Sequence, residues 1–173
     1  MPSREFVTAS RQFASRVRRY HTWPMITEQT VGQHSHRVAT LYCELWGVPR
    51  VEVLFYVLHH DGGELSAGDV PFGAKKLSEE FGEGHRAAED IGLQRQGVTL
   101  PRITEVEHSH FKIADIMEMW ETGSMELAMG NQFAIPIVND TLAAAMRMCD
   151  DLSEAHRQKL SSWLMAQEDK VNG

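Results

Sequence analysis

Apolar residues recur at helical spacing along almost the whole 173-residue chain, and this pattern constrains the fold more than any other feature. One predicted helix carries its inward face at four positions: His34, Val38, Leu41 and Leu45. Gly47 is placed to end that helix. No segment alternates apolar and polar residues with the period of two that marks a half-buried strand. The pattern therefore predicts an all-α fold.

Signals at segment ends place the other predicted helices. A stripe of Phe6, Phe13 and Val17 predicts a first helix, and Thr104 with Glu107 forms a capping box ahead of a helix to about residue 121. Further helices are predicted over residues 51–58, 76–82, 84–96, 136–148 and 153–167. Residues 62–74 hold four glycines and a proline, which is typical of a loop. We expect one compact helical bundle, a single domain over residues 1–173.

Composition excludes several classes of protein. Acidic residues outnumber basic ones 24 to 17, which disfavours non-specific binding to nucleic acid. No apolar run approaches the roughly 18 residues of a membrane helix. The chain has two cysteines, Cys43 and Cys149, which are too few to form a disulfide framework. We therefore expect buried free thiols and a cytoplasmic protein.

The first twenty residues hold five arginines and one glutamate. They fit either a transit peptide or, as we favour, a helix with a basic face.

Two residues at the end of an apolar helix suggest metal chemistry. Residues 51–58 are apolar on nearly every side, so this helix should be central, and His60 and Asp61 follow its end. A carboxylate at a helix C-terminus is disfavoured by the helix dipole, so a cation should lie against Asp61. That cation could be a lysine, an arginine or a divalent metal ion, and the neighbouring imidazole favours the metal. His34 and Asp115 are further candidates, although a core histidine and a carboxylate paired with Lys112 are ordinary alternatives.

The order of these residues resembles the H…HD…D signature of the HD-domain metal phosphohydrolases. The resemblance is closer still to the small deoxynucleotide phosphohydrolases, which include the bacterial 5′-deoxynucleotidases. It spans about residues 15–148 and is carried by five stretches: 30–35 (TVGQHS), 60–64 (HDGGE), 68–71 (GDVP), 112–115 (KIAD) and 130–133 (GNQF).

The resemblance implies an HD-domain fold and a divalent ion held by four residues: His34, His60, Asp61 and Asp115. Mn, Co, Zn, Ni and Mg are all candidates. It also implies that Glu64 and Asp69 are an acidic pair near the attacking water, with a second metal ion as a further option. Two exposed loop carboxylates are the plain alternative for this pair.

Substrate-binding residues also follow from the resemblance. The family has an Arg-Trp pair fifteen and fourteen residues before the first histidine, where this chain has Arg19 and Tyr20. The arginine would bind phosphate, and the aromatic ring would exclude a ribose 2′-hydroxyl, although tyrosine departs from the family pattern. Trp23 would stack on the base or simply pack. Lys75 would hold distal phosphates or lie in solvent.

The resemblance implies an enzyme that hydrolyses deoxynucleoside phosphates, a small-molecule partner and a homo-oligomer, either a dimer or a larger ring such as a hexamer. The length and the Arg-Tyr-His-Thr segment are more similar to small phage-encoded members. The expected reaction is therefore conversion of a dNTP, with dATP the first candidate, to deoxynucleoside and triphosphate. A 5′-deoxynucleotidase acting on dNMP is the alternative. A nucleotide-binding sensor without catalysis is another, although such a module has no need of Glu64 and Asp69.

Overall fold

A computed structural model describes residue 12 and residues 14–71, 74–76, 78–149 and 152–172. Seven α-helices follow one another in this part of the chain: α1 (Val31–Trp46), α2 (Val51–His59), α3 (Glu64–Ala67), α4 (Glu79–Arg95), α5 (Glu105–Ala128), α6 (Ile135–Cys149) and α7 (Glu154–Asn172). Two 3₁₀ helices cover Ala74–Lys76 and Gln132–Ala134. Extended pairing among the described residues is limited to one isolated bridge, between Arg18 and Thr30. The prediction of an all-α fold is confirmed.

Several helix ends lie where their terminal residues predict, but the two helices predicted over residues 76–82 and 84–96 are one continuous helix, α4. Gly47, with φ at +91°, follows α1. Thr104 and Glu107 form the expected capping box at the start of α5. That helix continues past the predicted end near residue 121, because Thr122 and Gly123 are buried and its chain reverses only at Gly130, where φ is +94°. Phe6 and Phe13 of the predicted first helix lie outside the described residues.

The chain forms two compact units, each built from two segments. The first unit comprises residues 1–36 and 54–102, and α4 packs on α3 within it. Gly63 permits this packing, because a Cβ there would overlap the backbone of Glu89 on α4. The prediction of a plain loop over residues 62–74 is wrong: the segment contains α3 and a 3₁₀ turn. Its glycine at 63 serves close packing rather than a loop conformation.

The second unit comprises residues 37–53 and 103–173. Helix α5 supplies much of its buried surface, including Phe111, Ile113 and Met117, and packs along α6. The indole N–H of Trp46 donates to the carbonyl of His110, 3.1 Å away. The prediction of a single domain over residues 1–173 stays a prediction.

Two burial predictions are wrong. On α2, Val53 and Val57 are buried, but Val51 is 72 % exposed and Phe55 is 40 % exposed. A helix of nine residues buries one face at i, i+4 spacing, and the other apolar side chains reach its surface. Cys43 and Cys149 form no disulfide, as expected, but both are only half-buried.

None of the described helices is both long enough and apolar enough to cross a membrane.

Candidate metal centre

Three of the predicted metal ligands lie together in the first unit. His34, His60 and Asp61 each direct one ligand atom into a group whose atoms all lie within 4.8 Å of one another. Nε2 of His34 is 3.5 Å from Oδ2 of Asp61, and Nε2 of His60 is 3.2 Å from Oδ1. Two imidazoles and a carboxylate form a donor set that suits Zn²⁺ and its first-row neighbours.

The positions of both histidines, in helix α1 and directly after helix α2, orient their imidazole rings. His34 lies in the first turns of α1 and is fully buried, while His60 directly follows the end of α2. Nδ1 of His60 is 2.7 Å from the carbonyl oxygen of Val57, which can only accept a hydrogen bond. Nδ1 therefore carries a proton, and Nε2 is the ring atom that faces the Asp61 carboxylate. A ring nitrogen this close to a carboxylate oxygen requires a proton or a metal ion between them, and backbone-fixed imidazoles are typical of metal ligands.

The electrostatics of the site favour a cation. Burial would raise the pKa of Asp61, but the neighbouring His60, His34 and Arg19 outweigh it and hold that pKa below its usual range. Burial, then the charges of Asp61 and Asp69, hold the pKa of Glu64 well above its usual range, against the opposing effect of Arg19 and Lys75. Three carboxyl groups thus crowd one region, and Arg19 and Lys75 offset part of the repulsion felt by Glu64.

Glu64 and Asp69 are not exposed loop carboxylates, so that alternative is wrong. Glu64 opens α3 with 4 % of its surface exposed, and its N–H donates to the carbonyl of Asp61, 3.0 Å away. Its Oε2 is buried and has no hydrogen-bond partner among the described residues. The side chain of Asp69 is 12 % exposed, and its Oδ2 accepts from the backbone N–H of Tyr20 at 3.1 Å.

Arg19 is anchored by a residue that the sequence did not single out. The backbone N–H of Arg19 donates to the carbonyl of Gln29, and its guanidinium donates to the Gln29 side chain at 3.3 Å. The guanidinium lies 5.4 Å from the centroid of the Tyr20 ring. Gln29 is buried, so it fixes the arginine from inside the unit.

Lys75 is half-buried and paired, so the alternative of a solvated lysine is wrong. Its ammonium lies 3.1 Å from Oε1 of Glu89 on α4. Nδ1 of His85 is 3.1 Å from the same oxygen, and Nε2 of His85 is 3.1 Å from the carbonyl oxygen of Gly68. His85 and Glu89 are four residues apart on one helix, so their side chains lie on the same face. That spacing is the only signal in the sequence for the contact between His85 and Glu89.

Trp23 and Asp115 are the remaining predicted site residues. Trp23 is 39 % exposed, and its backbone N–H donates to the carbonyl of Tyr20 at 2.8 Å. Asp115 lies on α5 in the second unit, and its Oδ2 accepts from Lys112 at 3.0 Å, the pairing that its alternative described. The group of candidate ligands found among the described residues does not include Asp115, so its role as a fourth ligand stays a prediction.

Comparison with known proteins bears on this site. No family model matches the chain. A 5′-deoxynucleotidase from Cronobacter sakazakii (strain ATCC BAA-894) is 23 % identical over 178 residues, with 88 % of this chain and 86 % of the relative covered. The solved structure of a cyanophage S-2L HD phosphohydrolase (DatZ), bound to dA and one catalytic Zn²⁺ ion, superimposes with a TM-score of 0.74. The two share 18 % identity, and the match covers 95 % of this chain and 96 % of the other.

The fold is that of an HD phosphohydrolase. The two comparisons confirm the resemblance to HD-type deoxynucleotide phosphohydrolases that the sequence motifs indicated. Both matched proteins are named as hydrolases, which supports the prediction that this HD-fold chain is an enzyme.

Proposed function

We propose that this protein is a metal-dependent phosphohydrolase of deoxynucleoside phosphates. The observation that carries the proposal is the group of His34, His60 and Asp61, with the buried carboxyl group of Glu64 beside it. The matched 5′-deoxynucleotidase and the dA-bound HD phosphohydrolase support a deoxynucleotide as the substrate class.

His34, His60 and Asp61 would hold the divalent ion, and Asp115 is proposed from the sequence motif as a fourth ligand. When bound, such an ion supplies Lewis-acid chemistry and lowers the pKa of a coordinated water towards neutrality. Zinc is the first candidate because of the donor set, and Mn, Co, Ni and Mg remain candidates. A second ion, held partly by the carboxylates of Glu64 and Asp69, is the alternative use of these two side chains.

Glu64 is the proposed base. Its Oε2 is buried and has no protein partner among the described residues, so it can accept a hydrogen bond from a water molecule in the site. The positive charge of a bound ion favours the ionised form of this carboxyl group, against the burial and repulsion that raise its pKa. Glu64 then takes a proton from water as the water oxygen bonds to phosphorus. The bond from phosphorus to the 5′-oxygen breaks, and the 5′-oxygen leaves with the proton that Glu64 took from water.

Arg19 and Lys75 would bind the phosphate groups. A guanidinium held by Gln29 presents a rigid fork that suits phosphate oxygens, whereas the Lys75 ammonium contributes a point charge. Both basic groups lower the pKa of Glu64, which supports a phosphate-binding role for them near the proposed base. Tyr20 would crowd the 2′-position of the sugar, and the exposed face of Trp23 would stack on the base.

For the number of phosphates, we propose a dNTP substrate, with dATP first, cleaved to deoxynucleoside and triphosphate. The phage-like Arg-Tyr-His-Thr segment and a neighbour that binds dA support this proposal. The name of the bacterial relative favours the alternative, a 5′-deoxynucleotidase that releases phosphate from dNMP.

The test incubates the protein with Zn²⁺, Mn²⁺ or Co²⁺ and with each dNTP and dNMP, and separates the products by ion-exchange chromatography. We expect deoxynucleoside and inorganic triphosphate from dATP. Phosphate released from dNMP alone would support the nucleotidase instead. Tight binding of dATP without any product would support a sensor.

Three further proposals come from the sequence. We propose a homo-oligomer, either a dimer or a larger ring, and exposed apolar residues such as Phe133 and Met146 in the second unit are compatible with a subunit contact. We propose a cytoplasmic location, inside the host cell if the chain is phage-encoded. We propose no nucleic-acid partner, since the chain is acidic overall.

A further inference from the structure

Tyr20 has a backbone conformation that its side chain does not favour. Its φ is +55°, and it is the only non-glycine residue with positive φ in the described part of the chain. The left-handed region brings the Cβ of an L-residue against its own backbone, so surrounding contacts must hold it there. Such conformations concentrate at functional sites, where they fix a side chain in a required direction.

A side-chain contact to the backbone of this residue comes from Asp69, forty-nine residues along the chain. Its Oδ2 accepts the backbone N–H of Tyr20 at 3.1 Å, and Nδ1 of His21 is 3.6 Å from the same oxygen. The backbone next to Asp69 is also held in place, because Nε2 of the buried His85 is 3.1 Å from the carbonyl oxygen of Gly68. The carboxylate therefore joins the Arg19–Tyr20 segment to the segment that follows α3, the helix that Glu64 opens.

We propose that Asp69 is a positioning residue, which holds Tyr20 in the left-handed conformation and so sets the places of Arg19 and the Tyr20 ring. This inference rests on the proposed function for its consequences, because those two side chains are the proposed phosphate and sugar contacts. It differs from an acid role, in which Asp69 would protonate the leaving oxygen. In the positioning role, the Oδ2 of Asp69 is occupied by the backbone N–H of Tyr20.

The two roles predict different kinetics for Asp69→Asn and Asp69→Ala. The asparagine side chain keeps an oxygen that can accept the Tyr20 N–H but has no acid group, whereas alanine removes both. For a positioning role we expect alanine to raise KM about tenfold and to weaken the preference for deoxyribose over ribose, with asparagine recovering most of both losses. Equal loss of kcat in both variants, with KM unchanged, would overturn the proposal.

Substitutions at position 20 test the backbone part of the argument. Tyr20→Gly and Tyr20→Ala both remove the ring, but only glycine adopts the left-handed region without cost. We expect Asp69→Ala to raise KM about tenfold in the Tyr20→Ala background and less than threefold in the Tyr20→Gly background. The same increase in both backgrounds would contradict the proposal.

Amide exchange separates this inference from the proposed function. Hydrogen exchange of the Tyr20 amide, followed by NMR, needs no substrate. We expect exchange at least tenfold faster in Asp69→Ala than in the wild type, and protection retained in Asp69→Asn. An unchanged rate in Asp69→Ala would overturn the positioning role. If no deoxynucleotide is hydrolysed by the wild type, the proposed function fails, while the exchange rates still decide the role of Asp69.

Discussion

At the scale of single residues, the site depends on which carboxyl groups are ionised. Asp61 stays ionised because imidazoles and Arg19 face it, whereas burial and like charges favour the neutral form of Glu64. Two acidic residues three positions apart thus have opposite tendencies, as expected where one binds a cation and the other exchanges a proton. The difference arises from surroundings, since the two side chains are chemically similar.

Glu64→Gln tests the proposed base. Glutamine keeps the size of the side chain but cannot take a proton, so we expect kcat to fall about 10²–10⁴-fold. The bound ion should remain, because His34, His60 and Asp61 are intact, and metal analysis of the purified variant checks this. A glutamine variant that retains full turnover would show that another group is the base.

Arg19→Lys tests phosphate binding. Lysine keeps the charge but loses the fork held by Gln29, so we expect KM to rise about tenfold or more, since a hydrogen bond to a charged group contributes about 1.5–3 kcal/mol. Steady-state kinetics measure this. Arg18→Lys is the matched control, because Arg18 pairs with Glu28 at 2.7 Å on the surface. Equal effects at both positions would contradict the assignment of Arg19.

At the scale of elements, the turn that carries Asp61 and Glu64 is fixed by close packing on α4 (Glu79–Arg95). Gly63 lies against the backbone of Glu89, and a Cβ on Gly92 would lie 2.7 Å from the carbonyl oxygen of Gly63. Two glycines on facing elements therefore let the backbones approach. The same approach brings Glu89 to Lys75.

Gly63→Ala should destabilise the protein by about 1–3 kcal/mol, because the added methyl group overlaps backbone that cannot move aside easily. Urea denaturation followed by circular dichroism measures the free energy of unfolding. Gly84→Ala is the matched control on α4: its Cβ meets open space, so we expect stabilisation of about 0.5–1 kcal/mol. Destabilisation of similar size at both positions would contradict the packing argument.

The second unit contains a pH-sensitive contact between its helices. His110 on α5 stacks on Trp46 at 4.4 Å between ring centroids, and its Nε2 is 3.2 Å from Nδ1 of His156 on α7. Burial, then the charges of His156 and Lys159, lower the pKa of His110 to about 4, although Glu107 opposes the change. The folded protein thus favours neutral His110.

The free energy of unfolding should therefore fall as the pH is lowered from about 6.5 to about 4, because the unfolded chain binds a proton that the folded His110 does not. His110→Phe keeps a ring against Trp46 and removes the titration. We expect a shallower pH dependence over this interval in that variant, measured by urea denaturation at several pH values. An identical slope would exclude His110 as the source.

At the scale of the whole molecule, local sequence patterns predicted helices, but they did not predict the contacts between residues far apart in the chain. The spacing of His34, Val38 and Leu45 predicted α1 (Val31–Trp46), and the Thr104 capping box predicted the start of α5. Periodicity could not show that Val51 faces outwards, since burial depends on what packs against each face of a helix.

In the candidate site, too, the sequence predicted some features and not others. Three ligands were predicted because the HD motif fixes their order along the chain, and the structure brings His34, His60 and Asp61 together. The sequence did not predict the hydrogen bonds that orient the proposed substrate residues, from Arg19 to Gln29 and from the Tyr20 amide to Asp69. These pairs join separate segments without any spacing that a sequence displays.

The central claim is that a divalent ion on His34, His60 and Asp61 makes the chain a deoxynucleotide phosphohydrolase. The most direct measurement determines bound metal by mass spectrometry and deoxynucleoside release from dATP and dAMP, in the wild type and in Asp61→Ala, before and after chelation. We expect at least one ion per chain and metal-dependent turnover in the wild type, and neither in the variant. Full turnover by metal-free Asp61→Ala protein would contradict the account.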